Sequence, residues 1–175
     1  MNKNLQDIKP DRPSIITSEL NAIHYYRKMD TKETVNEMMA GKYVIVEDFF
    51  SNGLELLSEL KRILSKIHND KSFQGKREYR SAFREASHNL LIKVKDYKFD
   101  VKKCPDVGWL EILYPETSEF YMSVVEAQGL NSSWQWYKKG IEVKTLNLNL
   151  HPYYNTYFPT RFDHLKLFDK WLKKY

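Results

Sequence analysis

Four residues, Tyr43-Val44-Ile45-Val46, constrain the fold more than any other stretch. The run is short, apolar and rich in β-branched side chains, and it stands between two segments with helical periodicity. Such a run reads as a strand buried in a sheet. Upstream, residues 31–40 read as a helix: Asp30 offers an N-cap oxygen, Glu33 follows three residues later, and Gly41 can adopt the left-handed conformation that closes a helix. Downstream, a turn at Ser51-Asn52-Gly53 opens an amphipathic helix in which Leu54, Leu57, Leu60, Leu64 and Ile67 recur at steps of three and four. That stripe faces a core. Helix, buried strand and helix in succession imply an α/β or α+β domain.

The remaining chain extends the same pattern. Residues 18–28 and 77–88 read as helices, and 90–94 and 97–101 as strands around Lys95-Asp96. Residues 105–114 show no clear period, and Pro115 ends them. Thr117 or Ser118 can cap a helix through Ala127, with Gly129 as its stop; residues 131–139 form another, ended by Gly140. Residues 141–150 alternate, Leu146, Leu148 and Leu150 against Asn147 and Asn149, as a strand with one polar face does. An aromatic loop over 151–159 leads to a last helix, where Thr160 and Asp163 make a capping box and Phe162, Leu165, Phe168 and Leu172 an apolar stripe. Residues 1–17 carry Pro10 and Pro13 and no period, and read as a flexible or surface-laid arm. The expected organisation is this arm followed by one compact domain over 18–175, a small mixed sheet flanked by helices. A chain of 175 residues suits one such domain.

Several function classes fall away. Six glycines leave little room for phosphate-cradling loops, and no GxGxxG or GxxxxGK pattern occurs. The single cysteine, Cys104, makes neither an intramolecular disulfide nor a zinc-binding pair. The first residues have no apolar signal-peptide core, and no apolar run approaches the roughly 20 residues needed to span a bilayer. The expected location is the cytoplasm, with no membrane partner. Ser133 lacks the glycine context of a nucleophile elbow. Glu47 and Asp48 follow the first strand, where α/β enzymes often put catalytic groups and where a loop equally begins.

The net charge is +5, and its distribution matters more than its size. From Lys71 to Lys103 there are ten Lys or Arg against Glu78, Glu85, Asp96 and Asp100, so this window holds the whole positive excess. Concentrated charge of this kind attracts phosphates. On the 77–88 helix, Tyr79, Phe83 and Ala86, with Leu90 after it, point one way, while Arg77, Arg80, Arg84 and His88 fall at steps of three, four and four on another face. Four potential cations in a row form a candidate surface for RNA, DNA or another acidic substrate.

Two other classes remain open. His68-Asn69-Asp70 has the His-x-Asp spacing of a non-haem iron site, with His151 as a third ligand and Arg161 ten residues on as a 2-oxoacid anchor. Alternatively the aromatics Trp134, Trp136, Tyr153, Tyr154 and Tyr157 serve a protein interface without catalysis.

The strings VVEAQGLNSSWQWYKKGI and LHPYYNTYFPTRFDHLKLFDKWL carry a resemblance. The residues concerned are Gln128, Asn131, Ser132, Ser133, Trp134, Gly140 and Ile141, then Tyr154, Tyr157, Pro159, Thr160 and Arg161. Their arrangement resembles the region before the cofactor domain in class I S-adenosylmethionine-dependent methyltransferases of the "small domain" type, relatives of the release-factor glutamine methyltransferases. The likeness extends more loosely to Leu90-Leu91-Ile92, Leu113-Tyr114-Pro115-Glu116 and the strand at Tyr43. It departs at Asn155, where the family has glycine; asparagine tolerates left-handed geometry better than most residues. The resemblance implies substrate contact at Gln128, Asn131 and Trp134, and a cofactor-pocket border at Tyr157, Pro159, Thr160 and Arg161. It also implies that the family's cofactor-binding strand and loop come after the last helix. The expected protein is therefore a substrate-recognition region that binds no cofactor alone. It would bind S-adenosylmethionine only when a partner methyltransferase subunit or domain completes the site.

Overall fold

A computed structural model of the chain describes residues 11–144, 147–156 and 163–174. The elements run β1 (Ala22–Tyr25), α1 (Thr31–Met39), β2 (Tyr43–Val46), α2 (Phe50–Ile67), α3 (Phe73–His88), β3 (Leu90–Lys95), β4 (Lys98–Phe99), α4 (Trp109–Leu113), β5 (Glu119–Ser123), α5 (Val124–Lys139), β6 (Ile141–Val143), β7 (Leu148–Leu150) and α6 (Asp163–Leu172). The fold is an α/β domain with a mixed sheet. β1, β2 and β3 are parallel neighbours, in registers that include Tyr25 with Val46 and Val44 with Leu90. β5 runs antiparallel along β3, from Leu91 opposite Ser123 to Lys95 opposite Glu119. β2 and the short β4 divide the other edge of β3.

Local chemistry explains the elements. The Asp30 carboxylate accepts the Glu33 amide at 2.8 Å and starts α1. Gly41, at φ 88°, turns the chain toward β2. Asp96 and Tyr97 both have positive φ, 50° and 58°, as a two-residue hairpin turn with the twist of its strands requires. Helices α1, α2 and α3 pack on one another; α1 connects β1 to β2, and α2 with α3 connects β2 to β3. Their core side chains, Val35, Met38, Leu56, Leu57, Leu60, Leu64 and Ala86, meet Val44, Val46, Leu90, Ile92, Val94, Phe120 and Met122 from the sheet. Gly53 lets α2 come close: a Cβ there would stand 3.2 Å from both Val46 and Val124.

The structure corrects several expectations. Residues 18–28 hold the strand β1 rather than a helix, because a parallel partner in β2 decides a weakly patterned segment. α2 starts at Phe50, so Ser51 to Gly53 form its first turn, and Leu54 and Ile67 lie outside the buried stripe. The helix expected from Thr117 or Ser118 is instead β5, with Phe120 and Met122 buried on one face. α5 then runs unbroken through Gly129, which faces open space. Its cap is Ser123, whose Oγ accepts the Glu126 amide at 3.2 Å. Residues 141–150 form the hairpin β6–β7 rather than one strand, turned at Asn147 with φ 50°. α6 is present, but among its described residues Leu165 is only half-buried and Phe168 and Leu172 are exposed, so none of these three is a buried core side chain. Thr160, Phe162 and Leu146 lie outside the described residues.

Residues 11–16 lie against the domain. Ile16 exchanges two 2.8 Å backbone hydrogen bonds with Tyr121 and covers the open edge of β5. The buried Tyr114 hydroxyl donates to Pro13 O at 2.7 Å, and Arg12 pairs with Glu116 and with the Leu113 carbonyl. Asn155, at φ 58°, takes the left-handed conformation expected of it, and its amide donates to Asp11 Oδ2 at 2.8 Å.

Candidate nucleic-acid interface

Helix α3 begins at Phe73, one turn before the expected Arg77, because the cap lies further upstream. Ser72 Oγ accepts the Gly75 amide at 3.1 Å. Asp70 in turn accepts the Ser72 amide at 2.8 Å and the Ser72 hydroxyl at 2.5 Å. Those hydrogen bonds, the hydroxyl's first, hold the Asp70 carboxyl below the usual carboxylate range. Gly75 is required where it stands, since a Cβ would lie 2.5 Å from the Asp70 carbonyl oxygen.

The helix then separates two chemistries. Gly75, Ala86 and Ser87 are buried, and Tyr79 and Phe83, half-buried and stacked with centroids 6.4 Å apart, pack on the core. Arg77, Arg80 and Arg84 are exposed. Among the described residues none of the three forms an ion pair. Arg80 Nε donates to the Lys76 carbonyl at 3.2 Å. Of the carboxylates in this region, Glu78 accepts from Gln74 at 3.0 Å, Glu126 stands 3.7 Å from His88 Nε2 and Asp70 is bonded to Ser72, while Glu85 lines one depression with Arg84. His88 Nδ1 donates to the Arg84 carbonyl at 2.7 Å, so this ring closes the helix as well as ending the stripe. A depression of about 320 Å³ lies beside Arg80, with His68, Asp70, Lys76 and Tyr79 in its wall. A second, of about 410 Å³, lies between Ser14, Ser81, Arg84, Glu85, His88 and Glu126.

The other candidate residues are scattered. Gln128 is exposed and Asn131 half-buried on α5, where Asn131 accepts from Gln135 at 3.3 Å. Trp134 is stacked on Tyr137, edge-on to Trp109 and against Gly108; these neighbours line neither depression. Tyr157, Pro159, Thr160 and Arg161 lie outside the described residues. His68 and Asp70 share one depression, but His151 is elsewhere: its Nδ1 donates to the Tyr137 carbonyl at 2.6 Å, and its ring sits where a Cβ on Gly140 would be. It satisfies the last turn of α5. Among the described residues no three His, Cys, Asp or Glu side chains gather as a metal site, so the iron constellation is not assembled. Trp134 and Tyr154 pack on the core around Trp109, whereas Tyr153, although edge-on to the same ring, and Trp136 are each 43% exposed.

Three features escape the sequence pattern. Phe73 leads the stripe, Ser14 joins its far end, and His24 Nδ1 pairs with Glu47 Oε1 at 2.8 Å across the ends of β1 and β2. The signal that places Phe73 on the helix is the Ser72 cap, whose Oγ accepts the Gly75 amide. The other two depend on segments brought together only by the fold. Among the described residues no helix is long and apolar enough to cross a membrane. Neither protein-family models nor curated proteins give a match to this sequence.

Proposed function

We propose that the chain is the substrate-recognition region of an S-adenosylmethionine-dependent methyltransferase, acting in the cytoplasm on RNA or DNA held against α3. The observation that carries the nucleic-acid part is the row of exposed arginines, Arg77, Arg80 and Arg84, none of which forms an ion pair among the described residues. Arginine that is not neutralised by a carboxylate keeps its donors for phosphate, and the planar fork suits that geometry. The methyltransferase part rests on the resemblance across Gln128 to Arg161. It assigns the cofactor site to a partner subunit or domain. An exposed apolar face on α6, with Leu167, Phe168, Trp171 and Leu172 all more than half exposed, supports a role in which this helix packs on another unit.

Charge reversal tests the first part. Arg80→Glu with Arg84→Glu should weaken nucleic-acid binding on the order of 100-fold at low salt, since hydrogen bonds to charged groups contribute about 1.5–3 kcal/mol each. The slope of log affinity against log salt should fall by about 1.4 or more. Fluorescence anisotropy across a salt series reads both. Unchanged affinity and slope would remove the nucleic-acid reading. For the second part, titration calorimetry of the isolated chain with S-adenosylmethionine should give no heat of binding; tight binding would overturn the assignment of the cofactor site to a partner.

A further inference from the structure

Phe73 is 77% exposed, an unusual place for a phenyl ring at the start of a capped, well-packed helix. Its position is informative. Phe73, Arg77, Arg80 and Arg84 follow one another at steps of four, three and four, so ring and cations share one face of α3. At 1.5 Å per residue the line spans about 16 Å along the helix. Beside Arg80 the half-buried Tyr79 and Lys76 line the same depression, together with the Asp70 carboxylate, which is bonded to Ser72, so an aromatic side chain again adjoins cations.

The two chemistries together discriminate between forms of nucleic acid. A duplex offers phosphates to a row of arginines, but its bases are stacked on one another and present no free face along the helix. A single strand offers both: phosphates for the cations and unstacked bases for an exposed ring. On the nucleic-acid reading of α3, we infer that this face binds a single strand, with one base stacked on Phe73 and the adjoining phosphates on Arg77, Arg80 and Arg84. The ring then gives the surface a preference that charge alone does not supply.

The test uses the full chain and fluorescein-labelled oligonucleotides: a mixed-sequence single strand, the same strand with abasic sites, and the corresponding duplex. RNA and DNA sets run in separate arms, so that the tighter set identifies the polymer. The single strand should bind more tightly than the duplex. Phe73→Ala should weaken single-strand binding about tenfold and leave duplex and abasic-strand binding unchanged, while Phe73→Trp retains the single-strand affinity. Because the ring is exposed, the variant should keep the far-ultraviolet circular dichroism of the parent. An unchanged single-strand affinity in Phe73→Ala, or an equal loss for strand and duplex, would overturn the stacking proposal. If the Arg80→Glu, Arg84→Glu variant still loses binding in that case, the basic-face reading stands without it. Absence of binding to every probe by the parent chain would overturn both.

Discussion

Trp109→Ala is expected to lower the unfolding free energy by about 3–5 kcal/mol, a large share of the roughly 5–15 kcal/mol by which such a domain is stable. The indole is fully buried and touches four other rings. Trp134 and Tyr153 meet it edge-on at 5.3 and 4.7 Å, Tyr137 is tilted at 4.8 Å, and Tyr154 lies at 6.2 Å. Removing it therefore uncouples α4 from α5 and from the 151–156 segment at once. Trp109→Phe should cost less, since it keeps an aromatic ring in the cluster and discards the indole N–H, which is buried without a hydrogen-bond acceptor among the described residues. Urea denaturation reads the difference through the midpoint, and near-ultraviolet circular dichroism reports whether the cluster persists. A loss below about 1 kcal/mol for the alanine variant would mean that the ring is not the centre of a packed cluster. The same packing bears on Trp134, for which the resemblance implies substrate contact. Stacked on Tyr137 and against Gly108, it is held as a structural side chain, so its truncation should register first in stability.

What could be read from the sequence, and what could not, follows the range of the interactions involved. α1 was legible because its cap is local: Asp30 and Glu33 are three residues apart and determine the start between them. β2 was legible because its run is apolar throughout. The arginine stripe needed only helical spacing. β1 was not legible, since its strand character comes from hydrogen bonding beside β2, more than fifteen residues away. β5 shows the opposite failure. Its alternation, Phe120 and Met122 inward, was present in the sequence, and so was the Ser123–Glu126 capping pair. A competing cap at Thr117 or Ser118 and the supposed stop at Gly129 obscured both. An exposed helical glycine costs only about 1 kcal/mol relative to alanine, too little to end a helix with its other turns packed. His151 illustrates the limit of spacing arguments: its distance from His68 and Asp70 along the chain said nothing about its actual partner, the Tyr137 carbonyl.

Tyr114 links the arm to the site, and its substitution separates two contributions. The residue is fully buried, its ring lies 4.8 Å from that of Phe120, and the Arg12 guanidinium sits 4.8 Å over its face. Burial pushes the hydroxyl pKa up, which keeps it a neutral donor to Pro13 O. Tyr114→Ala should therefore cost about 3–5 kcal/mol, as for other large aromatics removed from a core. Tyr114→Phe keeps the ring and deprives a buried carbonyl of its donor, at a cost of about 1–3 kcal/mol. The expected signature is spatial. In the phenylalanine variant, hydrogen exchange should accelerate at the Ile16 and Tyr121 amides, whose mutual bonds hold the arm on β5, more than at the amides of β3. In the alanine variant both sets should accelerate together. Unchanged protection at Ile16 in Tyr114→Phe would show that the strand-like bonds hold the arm without the tyrosine. Ser14 lies between those two anchors and in the wall of the depression that Arg84, His88 and Glu126 share. Loosening the arm should thus disturb the His88 end of the basic stripe and spare the Phe73 end, where Asp70 and Ser72 fix the helix independently.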